Sequence, residues 1–191
     1  MVTTCDNIFT MMEDLNKLIK ENSYISQTSS NKKKDSNSLS SIVNRNLSQS
    51  DCIKLGTGIE KLLVDLILQK SEHFELKNIK PKNEKGAKER DHLFINETEK
   101  IVYYAELKAN LNLDTEKSKS TYIKCQDIVK ELEYEYKDFQ IKWCLLGARY
   151  INCHEISEKV KKKYIDIKDN LFGINEFFQM FDINLVVSNK E

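Results

Sequence analysis

Proline occurs once in this chain, at Pro81, and glycine only five times among 191 residues. A Greek-key sandwich draws on both residues at its many tight turns, so that architecture is disfavoured. The five cysteines (Cys5, Cys52, Cys125, Cys144, Cys153) are scattered and odd in number, and no CxxC pair or zinc-like histidine spacing occurs. These absences argue against a zinc finger or ribbon and fit reduced thiols in a cytoplasmic protein. No apolar run approaches the roughly 18 residues of a membrane span, nor is there a basic segment followed by an apolar core, so a soluble protein is expected. The phosphate-loop pattern GxxxxGK[ST] is missing. An excess of charge of either sign is missing too, with 30 basic residues against 30 acidic. Any grip on nucleic acid must then come from local basic clusters and not from a global field.

Enough apolar material is present for one well-cored domain, at 40% hydrophobic with eight Phe and eight Tyr. Three regions differ in character. Residues 1–22 hold an amphipathic helix, Asn7 to Lys20, with Ile8, Met11, Met12, Leu15, Leu18 and Ile19 at helical spacing and Asp6 as N-cap. Its stripe packs on its own domain or on a dimer partner. Residues 23–50 turn to Ser, Asn, Lys and Gln, a composition that suits a mobile linker or arm. Residues 51–191 carry the folded domain. Asp51 to Lys70 reads as a helix with a core stripe of Ile59, Leu62, Leu63, Leu66 and Ile67, and Phe74 to Ile79 as a first strand. Asp114 caps a helix reaching about Tyr136, with Tyr122, Cys125, Ile128, Val129 and Leu132 inward. Phe139 to Gly147 is a central strand, Glu155 to Tyr164 and Asn170 to Phe181 are helices, and Ile183 to Val187 is a last strand. The fold class expected is α/β, a mixed central β-sheet flanked by helices.

The chemistry concentrates in one hairpin. Ile101 to Ala105 is β-branched and aromatic, so Glu106 and Lys108 share one face of a strand while Leu107 takes the other. His92 to Asn96 forms the partner strand, and a turn centred on Thr98-Glu99 sets Ile95 against Val102, Leu93 against Tyr104 and Asp91 against Glu106. Two carboxylates that close repel unless a cation lies between them or one is protonated. Mg²⁺, which binds through one or two carboxylates, water and substrate phosphate, answers that need. Lys108, on the same face, would sit where attacking water or a phosphate oxygen belongs.

Asp91, fourteen intervening residues and then Glu106-Leu107-Lys108 resemble the motif of the PD-(D/E)XK nucleases, and the surroundings look like a type II restriction endonuclease. Arg90 stands where the motif's proline would precede Asp91, and the likeness covers roughly residues 55–121. The resemblance implies a restriction-endonuclease-like core in which Asp91, Glu106 and the carbonyl of Leu107 hold Mg²⁺ and Lys108 orients water. Glu60 matches the additional acid that such nucleases carry on the helix before the catalytic hairpin, holding a second ion or ligating through water. Cleavage would leave 5′-phosphate and 3′-hydroxyl ends. Double-stranded DNA as substrate, a two-fold homodimer and a separate cognate methyltransferase follow from the same likeness.

Candidate DNA contacts flank the hairpin. Lys88 and Arg90 end a basic loop that leads into Asp91. Asn110, Asn112, Lys117 and Lys119 follow the catalytic strand beside a helix N-terminus, where free N–H groups favour phosphate. Arg149 is a candidate reader of guanine and Asn152 of adenine. Ordinary capping and surface ion pairs account for these residues equally well. A structure-selective or repair nuclease of the same fold, or a non-catalytic DNA-binding module, stand as alternatives to a restriction enzyme.

Overall fold

The computed structural model describes residues 2–3, 49–70, 73–77, 88–108, 111–148 and 150–185. The expected N-terminal helix, nearly all of the polar arm, most of the basic loop, Asn110 and Arg149 lie outside the described residues.

A short strand, β1 (Val2–Thr3), pairs in parallel with the last one, β7 (Asn184–Leu185), as a two-stranded sheet of its own. The main sheet has five strands in the order β2 (Glu75–Leu76), β3 (His92–Asn96), β4 (Ile101–Lys108), β5 (Gln140–Gly147) and β6 (Leu171–Phe172). β3 runs antiparallel to both β2 and β4, and β4, β5 and β6 run parallel to one another. The sheet is therefore mixed, as expected. The hairpin register is also as expected, with Ile95 opposite Val102 and Leu93 opposite Tyr104. Asn96 fixes the turn, its Oδ1 accepting from the backbone N–H of Thr98 at 3.1 Å and of Glu99 at 3.0 Å. Lys100 completes the reversal in the left-handed region, at φ 55°.

Alternation along β4 divides the core into two layers. Ile101, Tyr103, Ala105 and Leu107 face α1 (Gln49–Lys70) through Ile59, Leu63 and Ile67, with Phe177, Phe178 and Phe181 of the C-terminal part closing that layer. Val102 and Tyr104 face the other way, against Cys125, Ile128 and Leu132 of α2 (Thr115–Glu135). Asp114 caps α2 as anticipated, accepting from Lys117 N–H at 2.8 Å. Because α2 connects two parallel neighbours, β4 and β5, it must cross the face of the sheet. The even-numbered residues of β4, Glu106 among them, point into that layer.

The C-terminal third departs from expectation. A single helix over Glu155 to Tyr164 is replaced by a 3₁₀ turn (Cys153–Glu155), the one-turn α3 (Glu158–Lys161) and a kinked 3₁₀ stretch (Lys162–Asn170). The kinks fall at Tyr164 and Ile167, both buried, and the Tyr164 hydroxyl donates to Leu111 O at 2.9 Å. Core contacts at three-residue spacing suit the tighter helix. Leu171–Phe172, expected as the start of a helix, instead extends the sheet beside Leu145 and Leu146, clipped by Asn170 Nδ2 donating to Trp143 O at 2.9 Å. The helix that follows is reduced to α4 (Ile174–Gln179). No helix among the described residues is long and apolar enough to cross a membrane.

Tyr103 stacks on Phe181 at 4.6 Å between ring centroids and meets Phe74 edge-on at 5.3 Å, yet its buried hydroxyl has no hydrogen-bond partner among the described residues. Burial pushes this phenol up to about 12, so the fold favours its neutral form and loses stability as pH rises from 10 towards 12, where only the unfolded chain ionises. Tyr103→Phe is expected to raise stability at pH 7 by about 1 kcal/mol, since an unsatisfied hydroxyl is removed. Urea midpoints at pH 7 and pH 11 check this, and the variant's fall between them should be the smaller.

Candidate active site

The hairpin brings its acids together. Asp91 lies one residue before β3, and the sense of pairing continues past His92↔Ala105 to set it across from Glu106. Asp91 Oδ2 accepts from Leu107 N–H at 2.8 Å, which ties the carboxylate to the end of β4. Glu106 is 1% exposed and Leu107 faces the opposite layer, as alternation requires.

Ammonium groups surround this pair. Lys108 Nζ donates to Glu106 Oε1 at 2.6 Å and to Leu107 O at 3.1 Å, and stands 3.7 Å from Asp91 Oδ2. A single positive charge thus spans the three oxygens expected to hold a divalent ion. Lys124, from α2, lies 2.7 Å from each oxygen of Glu106 and 3.7 Å from Asp91 Oδ1. The Tyr104 hydroxyl donates to Glu106 Oε2 at 3.0 Å. Lys124 and Tyr104 are site residues that sequence reasoning missed. A signal for Lys124 existed: it lies three residues after Thr121 and four before Ile128, beside the buried stripe of α2.

Desolvation by burial raises the Asp91 carboxyl above its usual range, and the nearby Glu106 charge adds to this. Lys108, Lys124 and the Leu107 N–H oppose that rise. Burial pulls the Lys108 ammonium down, but Glu106 and Asp91 more than offset it and leave it raised. Glu60 comes from α1, across the sheet. Its carboxyl is raised chiefly by burial and next by the charge of Asp91, so it feels the site electrically. It does not complete a three-acid cluster, since the described residues contain no metal-holding group of three His, Cys, Asp or Glu side chains.

The donor set suits a hard divalent ion: two carboxylates and a backbone carbonyl, all oxygen, already gathered about a positive charge. Asp91, Glu106 and Leu107 O would hold it, with Lys108 displaced to the side.

Several expected DNA contacts have other partners. Arg90 is 4% exposed, and its guanidinium donates to Glu135 through two hydrogen bonds of 3.0 and 2.6 Å, with Glu131 at 3.5 Å. Lys88 pairs with Asp127. Both are fastened to α2 because its acids lie alongside them, Arg90 buried and Lys88 partly exposed. Asn152 braces the C-terminal loops, accepting from Asn175 Nδ2 at 2.7 Å and donating to Glu155 at 3.3 Å. Asn112 accepts from Lys163 at 2.9 Å, Lys117 pairs with Asp114 at 3.1 Å, and Lys119 is exposed.

The chain matches no family model, no curated protein and no solved structure.

If Arg90 is a structural tie, Arg90→Met should destabilise the fold by about 2 kcal/mol, the scale of a hydrogen bond to a charged group. Urea unfolding measures it. An unchanged midpoint would return Arg90 to the pool of ligand contacts.

Proposed function

We propose that this protein is a Mg²⁺-dependent endonuclease of the PD-(D/E)XK type, a type II restriction enzyme that hydrolyses phosphodiester bonds of double-stranded DNA. One observation carries the reading: the Lys108 ammonium touches Glu106, Leu107 O and Asp91 together, so the acid–acid–lysine set converges at a strand end. Dispersed surface ion pairs would not produce this, because Glu106 is buried and buried charge is costly unless partners are provided.

Mg²⁺, when bound, supplies a Lewis acid that lowers the pKa of water and neutralises phosphate charge. Asp91 and Glu106 would hold it, Asp91 fixed by the Leu107 N–H and Glu106 by the Tyr104 hydroxyl. Lys108 positions the attacking water and donates to the oxygens of the phosphorane as their charge grows. The new P–O bond forms in line with the breaking P–O3′ bond, whose oxygen takes up a proton. A 5′-phosphate and a 3′-hydroxyl result. Glu60 acts on the same centre through its charge, from the opposite layer. Lys117 and Lys119, exposed at the start of α2, would meet the backbone of a duplex. Two cuts in one duplex call for a two-fold homodimer, and host DNA would need a separate methyltransferase.

Asp91→Ala, Glu106→Ala and Lys108→Ala should each lower cleavage by about 10³-fold or more while the circular dichroism stays that of a folded chain. EDTA should stop the wild-type reaction. Digestion of a long sequenced DNA with Mg²⁺, followed by mapping of fragment ends, checks both chemistry and specificity. Discrete, recurring ends support a restriction enzyme. Ends confined to junctions or flaps favour a repair nuclease, and cleavage by Glu106→Ala at the wild-type rate overturns the assignment.

A further inference from the structure

Lys124 has no task in the scheme above, yet it is as close to the acids as Lys108. Its Nζ bridges both Glu106 oxygens at 2.7 Å and approaches Asp91 at 3.7 Å. Lys108 meets the same acids through Glu106 Oε1 at 2.6 Å and Asp91 Oδ2 at 3.7 Å. The acid pair is therefore bracketed by ammonium groups, each spanning both carboxylates. Only Lys108 is shown donating to Leu107 O as well, so it is the one that overlies the expected ion ligands. Lys124 arrives from α2, the helix over the layer into which Glu106 points, between buried Thr121 and Ile128.

The charges matter here. Two carboxylates against two ammonium groups leave the site neutral before any ion arrives. One divalent ion then makes it doubly positive, a match for a phosphate gathering negative charge. A second ion would stand against the Lys124 ammonium and, among the described residues, would find no third acid to complete its ligands.

We propose that Lys124 is the built-in second cation of this site. Without an ion it pins Glu106 and Asp91 in place, and with one bound it takes the part toward the scissile phosphate that a second divalent ion would play. This rests on the nuclease reading above. Lys124 is a positioning residue for the acids and competes with the ion for them.

The test uses the full chain and reads Mn²⁺ binding by calorimetry without DNA, beside cleavage at saturating ion. Wild type should bind one Mn²⁺ per chain. Lys124→Met should bind it about tenfold more tightly, because a competing positive charge is gone. The same variant should cut about 100-fold more slowly, and Lys124→Arg should recover part of the rate. Binding and cleavage moving in opposite directions cannot come from a site merely loosened, which would weaken both. Two ions per wild-type chain, unchanged or weaker Mn²⁺ binding by Lys124→Met, or wild-type cleavage by that variant would each overturn the proposal. Should Lys124→Met not fold, Lys124→Gln carries the same comparison. Glu106→Gln separates the two readings: if it binds Mn²⁺ as wild type does, the nuclease assignment fails, and if it does not, only the role of Lys124 is at stake.

Discussion

A carboxylate nearly excluded from water is the constraint around which this fold is arranged. Glu106 sits on the fourth strand of its chain, one side chain from the apolar layer beneath α2, with water reaching almost none of it. Stripped of partners, such a charge would cost more than a small domain can spare. Each neighbour answers that cost. Tyr104, two residues back on the same face, gives its hydroxyl, Lys108, two residues on, gives an ammonium, and Lys124 descends from the helix above. Asp91, brought in by the hairpin, is tolerated only because the same cations and the Leu107 N–H serve it too.

α2 does more than cover the sheet. Lys124, Asp127, Glu131 and Glu135 recur every three or four residues, so they lie in one row along its side. That row meets Asp91, Lys88 and Arg90, all in the segment that leads into β3. Basic residues that read as a grip for phosphate are consumed as rivets between an irregular segment and a helix. Among the described residues, Lys88 and Arg90 spend their charge on α2, while Lys108 and Lys124 spend theirs on the acids.

Local rules made the centre of the molecule legible. Strand alternation and a short polar turn were sufficient to set Asp91 across from Glu106 and to send Leu107 the other way. The stripe of α1 and the Asp114 cap were equally plain, since both depend on spacing within a single element. What escaped were relations between elements. Lys124 gains its role only from the way α2 lies over β4, and Arg90 gave no hint that its partners lay 41 and 45 residues onward, at Glu131 and Glu135. The 3₁₀ segment failed as a helix for a similar reason. Tyr164 and Ile167 obey the core they enter, and their own propensities come second. The restriction-endonuclease core remains a likeness drawn from motif and hairpin, beside a mixed five-stranded sheet with helices on both faces.

The crossover from β4 to β5 also bears on how the chain comes to be folded. Residues 91 to 108 emerge from the ribosome as a self-contained hairpin, its contacts short in sequence and quick to form. The helix that neutralises its far end is made later, and β5 must arrive before that helix can settle. Until then the nascent hairpin carries two acids with Lys108 alone between them, so its far end stays hydrated and frayed. Closure of that end thereby depends on the docking of α2, whose Lys124 is the second cation the acids are paired with.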